Sequence, residues 1–492
     1  MTCTTLRSLF VCLAVSVLTL AGCGAYSMDS MPMAGSGGGF GATQGGVQDM
    51  GLVRELIAEG KVPPAEAFTV EGMFSEHDLP LEGTPCALTL CLRAAAAVAP
   101  TLNGTRAGWL QVGMSSTIDP DTFQRPSQTL VATVDISGSM GFGYGEGQVT
   151  PGAIAVKLLH ELVDRLDAGD HLAIVVYGST SRVHLPFVAG DDKETLRASI
   201  DALENGGVTD MESGMRLAYD VAREADFGTD ETRLLLFTDL QPNVGMTGAS
   251  EFTTLAEAGA ADGIGLTVLG LGFGLGPEIM ETMTTVRGGN GFSMTHTDQV
   301  QPFYEDNWPW FVSPIAHDLS VTMEVTGGMT VAEAYGFPGT EQVEVSMDVA
   351  SVFLSKRRGA LLVRFAAEAT DFTAVHAEGR ITYVTPGGTE VDEQLSVDYD
   401  ASPLDARGHG YEQAIVGRTV ALAVLVSNMK AAATVYEQEQ GEAVAIMEGV
   451  VARVAADAEA MDDEALAPEV QLARDLLALM KEGAPQGTMY PY

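Results

Sequence analysis

The stretch "VATVDISGSMGFGYGEG" (Val131–Gly147) joins an apolar run to one carboxylate, two serines and then glycine at every second position. An apolar run of this length fits a parallel strand covered on both faces. The residues after the run decide the chemistry: either the glycines cradle a phosphate, or Asp135, Ser137 and Ser139 hold a metal ion. The phosphate-loop pattern Gly-x-x-x-x-Gly-Lys-Ser/Thr occurs nowhere in the chain. A second glycine-rich stretch, "GLGFGLGP" (270–277), lacks the Gly-x-Gly-x-x-Gly spacing and comes after a late strand. Both stretches therefore read as flexible loops near a site rather than as nucleotide loops.

Working outward, "HLAIVVYG", "RLLLFTD" and "IGLTVLGLGF" are further strand-like apolar runs. Helical patterns separate them. In "TPGAIAVKLLHELVDRLDAGD", Thr150 is a candidate N-cap and Pro151 takes the first helical position. Ala155, Leu158, Leu159, Leu162 and Leu166 mark the apolar face, and Gly169 offers a stop. Helical patterns also cover 193–204, 212–225 and 249–261. This alternation predicts an α/β unit, a doubly wound and mostly parallel sheet whose ligands bind beyond the carboxyl ends of the strands. Asp135 and Asp239 each end such a run. One aspartate at a strand end is usually a turn former or a cap. Two of them, with hydroxyls at Ser137, Ser139 and Thr209, point to a site.

Asp135-Ile136-Ser137-Gly138-Ser139 resembles the Asp-x-Ser-x-Ser signature of von Willebrand factor type A (VWA) domains, and "GGVTDMESGM" (206–215) is similar to the segment that carries the family's metal-site threonine, here Thr209. "LLLFTDLQPNVG" resembles the Thr-Asp-Gly-x-x-Asn segment and makes Asp239 the last metal-site residue. The resemblance runs from about Leu130 to Val312 and places a VWA domain at 129–313. It implies a metal-ion-dependent adhesion site in which Ser137, Ser139 and Thr209 bind directly while Asp135 and Asp239 act largely through water. Leu240 stands where the family often has glycine, so any positive φ there would strain or reshape the loop. Hydroxyl and carboxylate oxygens are hard ligands, suited to Mg²⁺ with Mn²⁺ or Ca²⁺ as alternatives, and poorly suited to zinc or copper. A mostly neutral shell leaves the ion positive enough to take a carboxylate from outside. The expected partner is therefore a protein or peptide presenting Asp or Glu.

On both sides of this unit the pattern changes to alternating apolar and polar residues with Gly and Pro turns, over 51–128 upstream and 314–403 downstream. These antiparallel signals predict one β-sandwich with the VWA unit inserted between two of its strands, an outline that resembles integrin β subunits. Residues 404–484 read as packed C-terminal helices. "TVALAVLV" is strongly apolar, but Arg418, Asn428 and Lys430 limit the run and argue against a membrane span. "NWPWF" (307–311) reads as core or interdomain packing, with an exposed partner-binding patch as the alternative. The acidic run 457–464 reads as a solvated turn.

The first 22 residues carry one arginine and an apolar stretch too short to span a bilayer, as in an export signal. Leu20-Ala21-Gly22-Cys23 resembles a bacterial lipobox, which makes Cys23 the lipidated first residue of the mature chain. Ordinary secretion is the alternative. Residues 23–50, rich in Gly, Ser and Met, would form a flexible tether with a reach of roughly 30 Å. The expected location is thus the bacterial cell envelope, with the protein lipid-anchored to a membrane. Cys86 and Cys91 can pair only if a turn brings them together, since five extended residues span about 16 Å. Two buried thiols are the other reading.

A formal charge of −40 (26 basic, 66 acidic residues) repels nucleic acid. "HELVD" begins like a zinc motif at His160, but Asp164 replaces the second histidine, and no Gly-x-Ser-x-Gly elbow occurs. The expectation is a binding module for adhesion or complex assembly and not an enzyme. A structural lipoprotein with a loop-stabilising metal, or a metal-dependent enzyme, are the alternatives.

Overall fold

The computed structural model describes residues 50–487 except 119–122, 144–148, 230, 273–276, 295, 309, 338, 354–358, 368 and 370. The export signal, Cys23 and all of the expected tether except Met50 lie outside the described residues.

The chain opens with two short helices, α1 (Gly51–Ala58) and α2 (Val70–Glu76), before the strands β1 (Cys91–Pro100) and β2 (Arg106–Ser115). The segment 51–128 is therefore not β-rich throughout. Val53, Ile57, Val70, Met73 and Phe74 are buried against the C-terminal helices, and this long-range packing selects helix over extended chain. Next comes β3 (Gln128–Asp135), then α3 (Pro151–Arg165), β4 (His171–Tyr177), β5 (Arg182–Ala189), α4 (Lys193–Asp201) and α5 (Met211–Arg223). The central unit finishes with β6 (Glu231–Thr238), α6 (Ala249–Ala261), β7 (Ile264–Leu271), α7 (Pro277–Thr284), β8 (Gly289–Met294) and α8 (Val300–Asn307). The strands β9 (Pro314–Val325), β10 (Met329–Tyr335), β11 (Gly339–Thr340), β12 (Glu344–Phe353), β13 (Leu361–Ala367), β14 (Ala374–Val384), β15 (Glu390–Asp400) and β16 (Gly410–Tyr411) come after it. Helices α9 (Ala414–Val435), α10 (Gln440–Met461) and α11 (Ala467–Glu482) end the described chain.

The central sheet has the order β5-β4-β3-β6-β7-β8 and is parallel except for the β4–β5 pair. Along β3, Leu130, Ala132 and Val134 face a core shared with α3, α4 and α8, while Val131 faces one shared with α5, α6 and α7. Helices cover both faces, so every residue of β3 is buried. Helix α3 starts as expected: Thr150 caps it by accepting from the Ala153 amide (3.0 Å), with Pro151 at the first position. It ends at Arg165, before Gly169. On the surface His160 hydrogen-bonds Asp201 at 2.9 Å and Asp164 pairs with Arg197, contacts with no zinc character.

The flanking strands form two five-stranded antiparallel sheets, β10-β13-β2-β1-β16 and β11-β12-β9-β14-β15. Strands from before and after the central unit share the first sheet, so the unit is inserted between β2 and β9. In the run Ala94–Ala97 of β1, Ala96 points into the sandwich core, while Ala95 and Ala97 point to the other side, against α9 and its neighbours. Small side chains let sheet and helix approach closely. Helix α9 is long and apolar enough to cross a membrane by length and composition, yet most of it is buried in this helical layer. In the acidic run, Asp457 is buried rather than solvated, because Arg407 and Arg453 each hold its carboxylate at 2.7 Å. Cys86 and Cys91 form a disulfide, with bends at 88–90 supplying the turn that the pairing requires.

The sandwich meets the central unit at the amino-terminal edge of its sheet. Fully buried Arg233, at the start of β6, donates to Thr267 Oγ1 (3.2 Å) and the Gly288 carbonyl (2.9 Å) and lies over the Phe353 ring of β12. Burial pushes its guanidinium down to about 10. The Gly288 amide donates to Ser351 Oγ (2.7 Å), which lies 2.7 Å from His317 Nδ1. Burial first, then Arg287 and Arg233, hold the His317 imidazole down at about 4, with Asp318 opposing them. A histidine whose folded pKa is depressed contributes nothing adverse above its unfolded value of about 6.5, and costs stability as pH falls from there toward its folded value. Thermal unfolding of the wild type is expected to shift to lower temperature between about pH 6.5 and 4. In His317→Gln that part of the pH dependence should disappear.

Candidate metal centre

Strand β3 is followed in sequence by β4 on one side and is flanked by β6 on the other, so the chain reverses its winding direction between β3 and β6. Crevices at such switch points are where open α/β sheets bind ligands. Asp135 ends β3, and Thr238 ends β6 with Asp239 directly after it, so the carboxylates converge on the crevice.

Both carboxylates are nearly inaccessible, Asp135 at 1% and Asp239 at 2%. Asp135 accepts from the Ser137 amide (2.8 Å) and from Thr238 Oγ1 (3.2 Å). Ser137 Oγ and Ser139 Oγ are 3.0 Å apart, and Ser139 hydrogen-bonds the Asp239 carboxylate. Burial pushes the Asp135 carboxyl up to about 6, against its hydrogen bonds from Ser137, with the Asp239 charge adding to the rise. Burial also raises Asp239, against hydrogen bonds from Ser139 and the Gln241 amide. Tyr177 on β4, wholly buried, has its phenol held well up by burial and then by Asp135.

Thr209 arrives on the loop before α5. That loop is stitched to the Asp135 loop by two backbone bonds, Gly138 amide to Gly207 carbonyl (3.0 Å) and Gly206 amide to Ile136 carbonyl (2.6 Å). Gly207 adopts φ +96°, a conformation that favours glycine. Thr209 itself is buried, and Asn243 ties it to the third loop: Asn243 Oδ1 accepts from the Thr209 amide (3.0 Å) and Asn243 Nδ2 donates to Thr209 Oγ1 (3.4 Å). The structure thus links Asp135, Ser137, Ser139 and Asp239 through direct hydrogen bonds and brings Thr209 to the same edge through its backbone and Asn243. Thr238 and Asn243 were not singled out by sequence reading, although both stand in the "TDLQPN" stretch that marked Asp239.

The residues suit a hard cation. Asp239 Oδ1 is buried and makes no hydrogen bond among the described residues. Asp135 is shifted by burial, by the Ser137 and Thr238 hydroxyls, by the Ser137 amide and by the Asp239 carboxylate. Two buried like charges with an unsatisfied oxygen are costly unless a positive charge lies between them. Among the described residues, no cluster of three or more His, Cys, Asp or Glu offers a competing metal site.

Residues 130–241 match the family model of the von Willebrand factor type A domain. The central unit is therefore similar to a von Willebrand factor type A domain. Over 278 residues the chain is 26% identical to the Escherichia coli K12 protein YfbK, described as uncharacterized; the match covers 55% of this chain and 47% of YfbK, about half its length. Among solved structures, a von Willebrand factor type A protein from Catenulispora acidiphila is similar at 12% identity and a TM-score of 0.43, over 83% of this chain and 99% of that one. The ArnB paralog VWA2 from Sulfolobus acidocaldarius is similar at 15% identity and a TM-score of 0.39, over 81% and 100%.

Leu240 of the central unit adopts φ +55°, the left-handed conformation expected to strain a non-glycine residue, while its side chain is 2% exposed in the core beneath α5 and α6. The strain costs about 1–2 kcal/mol, whereas removing a buried leucine costs about 2–5 kcal/mol. Packing therefore wins. Leu240→Gly is expected to lower stability by about 1–3 kcal/mol in urea unfolding despite relieving the backbone.

Proposed function

We propose that this protein is an exported, lipid-anchored binding protein of the bacterial cell envelope that captures a partner's Asp or Glu side chain through a divalent cation. The partner is a protein or peptide, the ion is Mg²⁺ with Mn²⁺ or Ca²⁺ as alternatives, and the role is adhesion or complex assembly without turnover. The observation that carries the reading is the buried Asp135–Asp239 pair, with its unsatisfied Asp239 oxygen beside the Ser137 and Ser139 hydroxyls. Ser137, Ser139 and Thr209 would hold the ion, with Asp135 and Asp239 behind them. When bound, the ion would supply a Lewis-acidic position for an outside carboxylate. Thr238 and the Ser137 amide keep Asp135 in place, and Asn243 orients Thr209. The lipid anchor rests on Leu20-Ala21-Gly22-Cys23.

Saturating Mg²⁺ is expected to raise the unfolding temperature of the wild type, with stabilisation of about 2.7 kcal/mol at a hundredfold excess over Kd. Asp239→Asn should lose that response, and calorimetry should show no Mg²⁺ binding. Capture of an envelope protein that needs Mg²⁺, stops in EDTA and fails with Asp239→Asn supports the function. Mg²⁺ stabilisation with no ligand gained would leave only a structural metal. Separately, cells fed labelled palmitate should label the wild type but not Cys23→Ser, and an unlabelled wild type removes the anchor.

A further inference from the structure

Six large apolar side chains are markedly exposed among the described residues, and three of them stand on the loops of the candidate metal centre: Phe142 at 73%, Val208 at 43% and Val244 at 41%. Each belongs to a different site loop. Phe142 lies just past the Asp135 loop, its amide bonded to the Ser139 carbonyl (3.0 Å). Val208 precedes Thr209, and the Val244 amide donates to the Thr209 carbonyl (3.2 Å). Single exposed apolar residues are ordinary on any protein surface. Three on the separate loops of one candidate site are not.

Among the described residues of these loops, the formal charges are Asp239 at the site itself and Glu204 and Asp210 toward the two ends of the Thr209 loop. None of residues 136–143, 178–181, 205–209 and 240–250 is Asp, Glu, Lys or Arg, in a chain that is 19% charged with a net charge of −40. Asp210 and Glu212, next along the chain, are engaged locally: Asp210 caps α5 through the Ser213 amide, and Glu212 holds the Met246 amide and Arg216. An acidic guest approaching this polyanion would meet like charge over most of the surface, but near the crevice it meets a largely uncharged, partly apolar collar.

We propose that this collar selects the partner, so that the guest is an exposed protein segment in which an acidic side chain is flanked by large apolar residues that settle on Phe142, Val208 and Val244. The inference rests on the metal-dependent reading of the site and adds the chemistry of its ligand.

The test uses the full chain in saturating Mg²⁺ with three labelled peptides, Gly-Ser-Phe-Asp-Leu-Ser-Gly, Gly-Ser-Ser-Asp-Ser-Ser-Gly and Gly-Ser-Phe-Asn-Leu-Ser-Gly, read by fluorescence anisotropy. The Phe-Asp-Leu peptide should bind about tenfold or more tightly than the Ser-Asp-Ser peptide, the factor that burial of one large apolar side chain provides. The Phe-Asn-Leu peptide and EDTA should abolish binding. The variant Phe142→Ser/Val208→Ser/Val244→Ser should lower the preference to about twofold or less while Mg²⁺ affinity by calorimetry stays unchanged. If that variant loses Mg²⁺ binding, Phe142→Ser alone decides, because its side chain is the most exposed of the three. Equal binding of the two aspartate peptides, or a preference that survives the deciding variant, overturns the collar and leaves the metal reading standing. Binding that persists in EDTA or with asparagine, or no peptide binding at all, overturns both.

Discussion

Two carboxylates buried beside each other, Asp135 at the end of β3 and Asp239 just after β6, set the terms for everything around them. Removing one carboxylate from water is expensive, and removing two together adds their repulsion. The protein answers with the Ser137 amide and the Thr238 hydroxyl on Asp135, and with Ser139 and the Gln241 amide on Asp239. These hydrogen bonds do not cancel the burial, since both carboxyls stay raised. On the proposed reading the remainder is left for a cation, with the Ser137 and Ser139 hydroxyls beside the pair.

Among the described residues, the sandwich packs away from that edge. The sandwich touches the central unit at the opposite, amino-terminal edge of its sheet, where Arg233 lies over Phe353 and Ser351 joins the Gly288 amide to His317. Nearby, Arg125 grips buried Asp170 at 2.6 and 2.8 Å and lies over Trp308, which pins the entry and exit of the inserted domain together. The exit segment is anchored further by Phe292, Phe303, Tyr304 and Phe311, so the aromatic residues at the end of α8 serve mainly as packing. An insertion held at its base presents its loops outward. This arrangement suits a module whose work is done by three loops at the far end.

Much of the fold was legible because its signals are local. A strand buried on both faces must be continuously apolar, so β3, β4, β6 and β7 announced themselves. Thr150 and Pro151 marked the start of α3 for reasons confined to one turn. What escaped depends on distant partners. The pattern over Val70–Glu76 is short and ambiguous, and only packing against the C-terminal helices makes it helical. Asp457 belongs to an acidic run that looks solvated until Arg407, 50 residues away, reaches it.

The sequence by itself determined the central α/β unit and its inserted position, because continuously apolar strands and alternating flanks are local patterns, and it singled out Asp135, Ser137, Ser139, Thr209 and Asp239 as candidates from two strand ends and a family resemblance. Only the tertiary structure decided that Asp239 keeps an oxygen with no hydrogen bond among the described residues, that Leu240 accepts a left-handed backbone in exchange for burial, and that Phe142, Val208 and Val244 stand exposed on the site loops. Burial and convergence are properties of chain segments about a hundred residues apart meeting in space, and no local pattern records them.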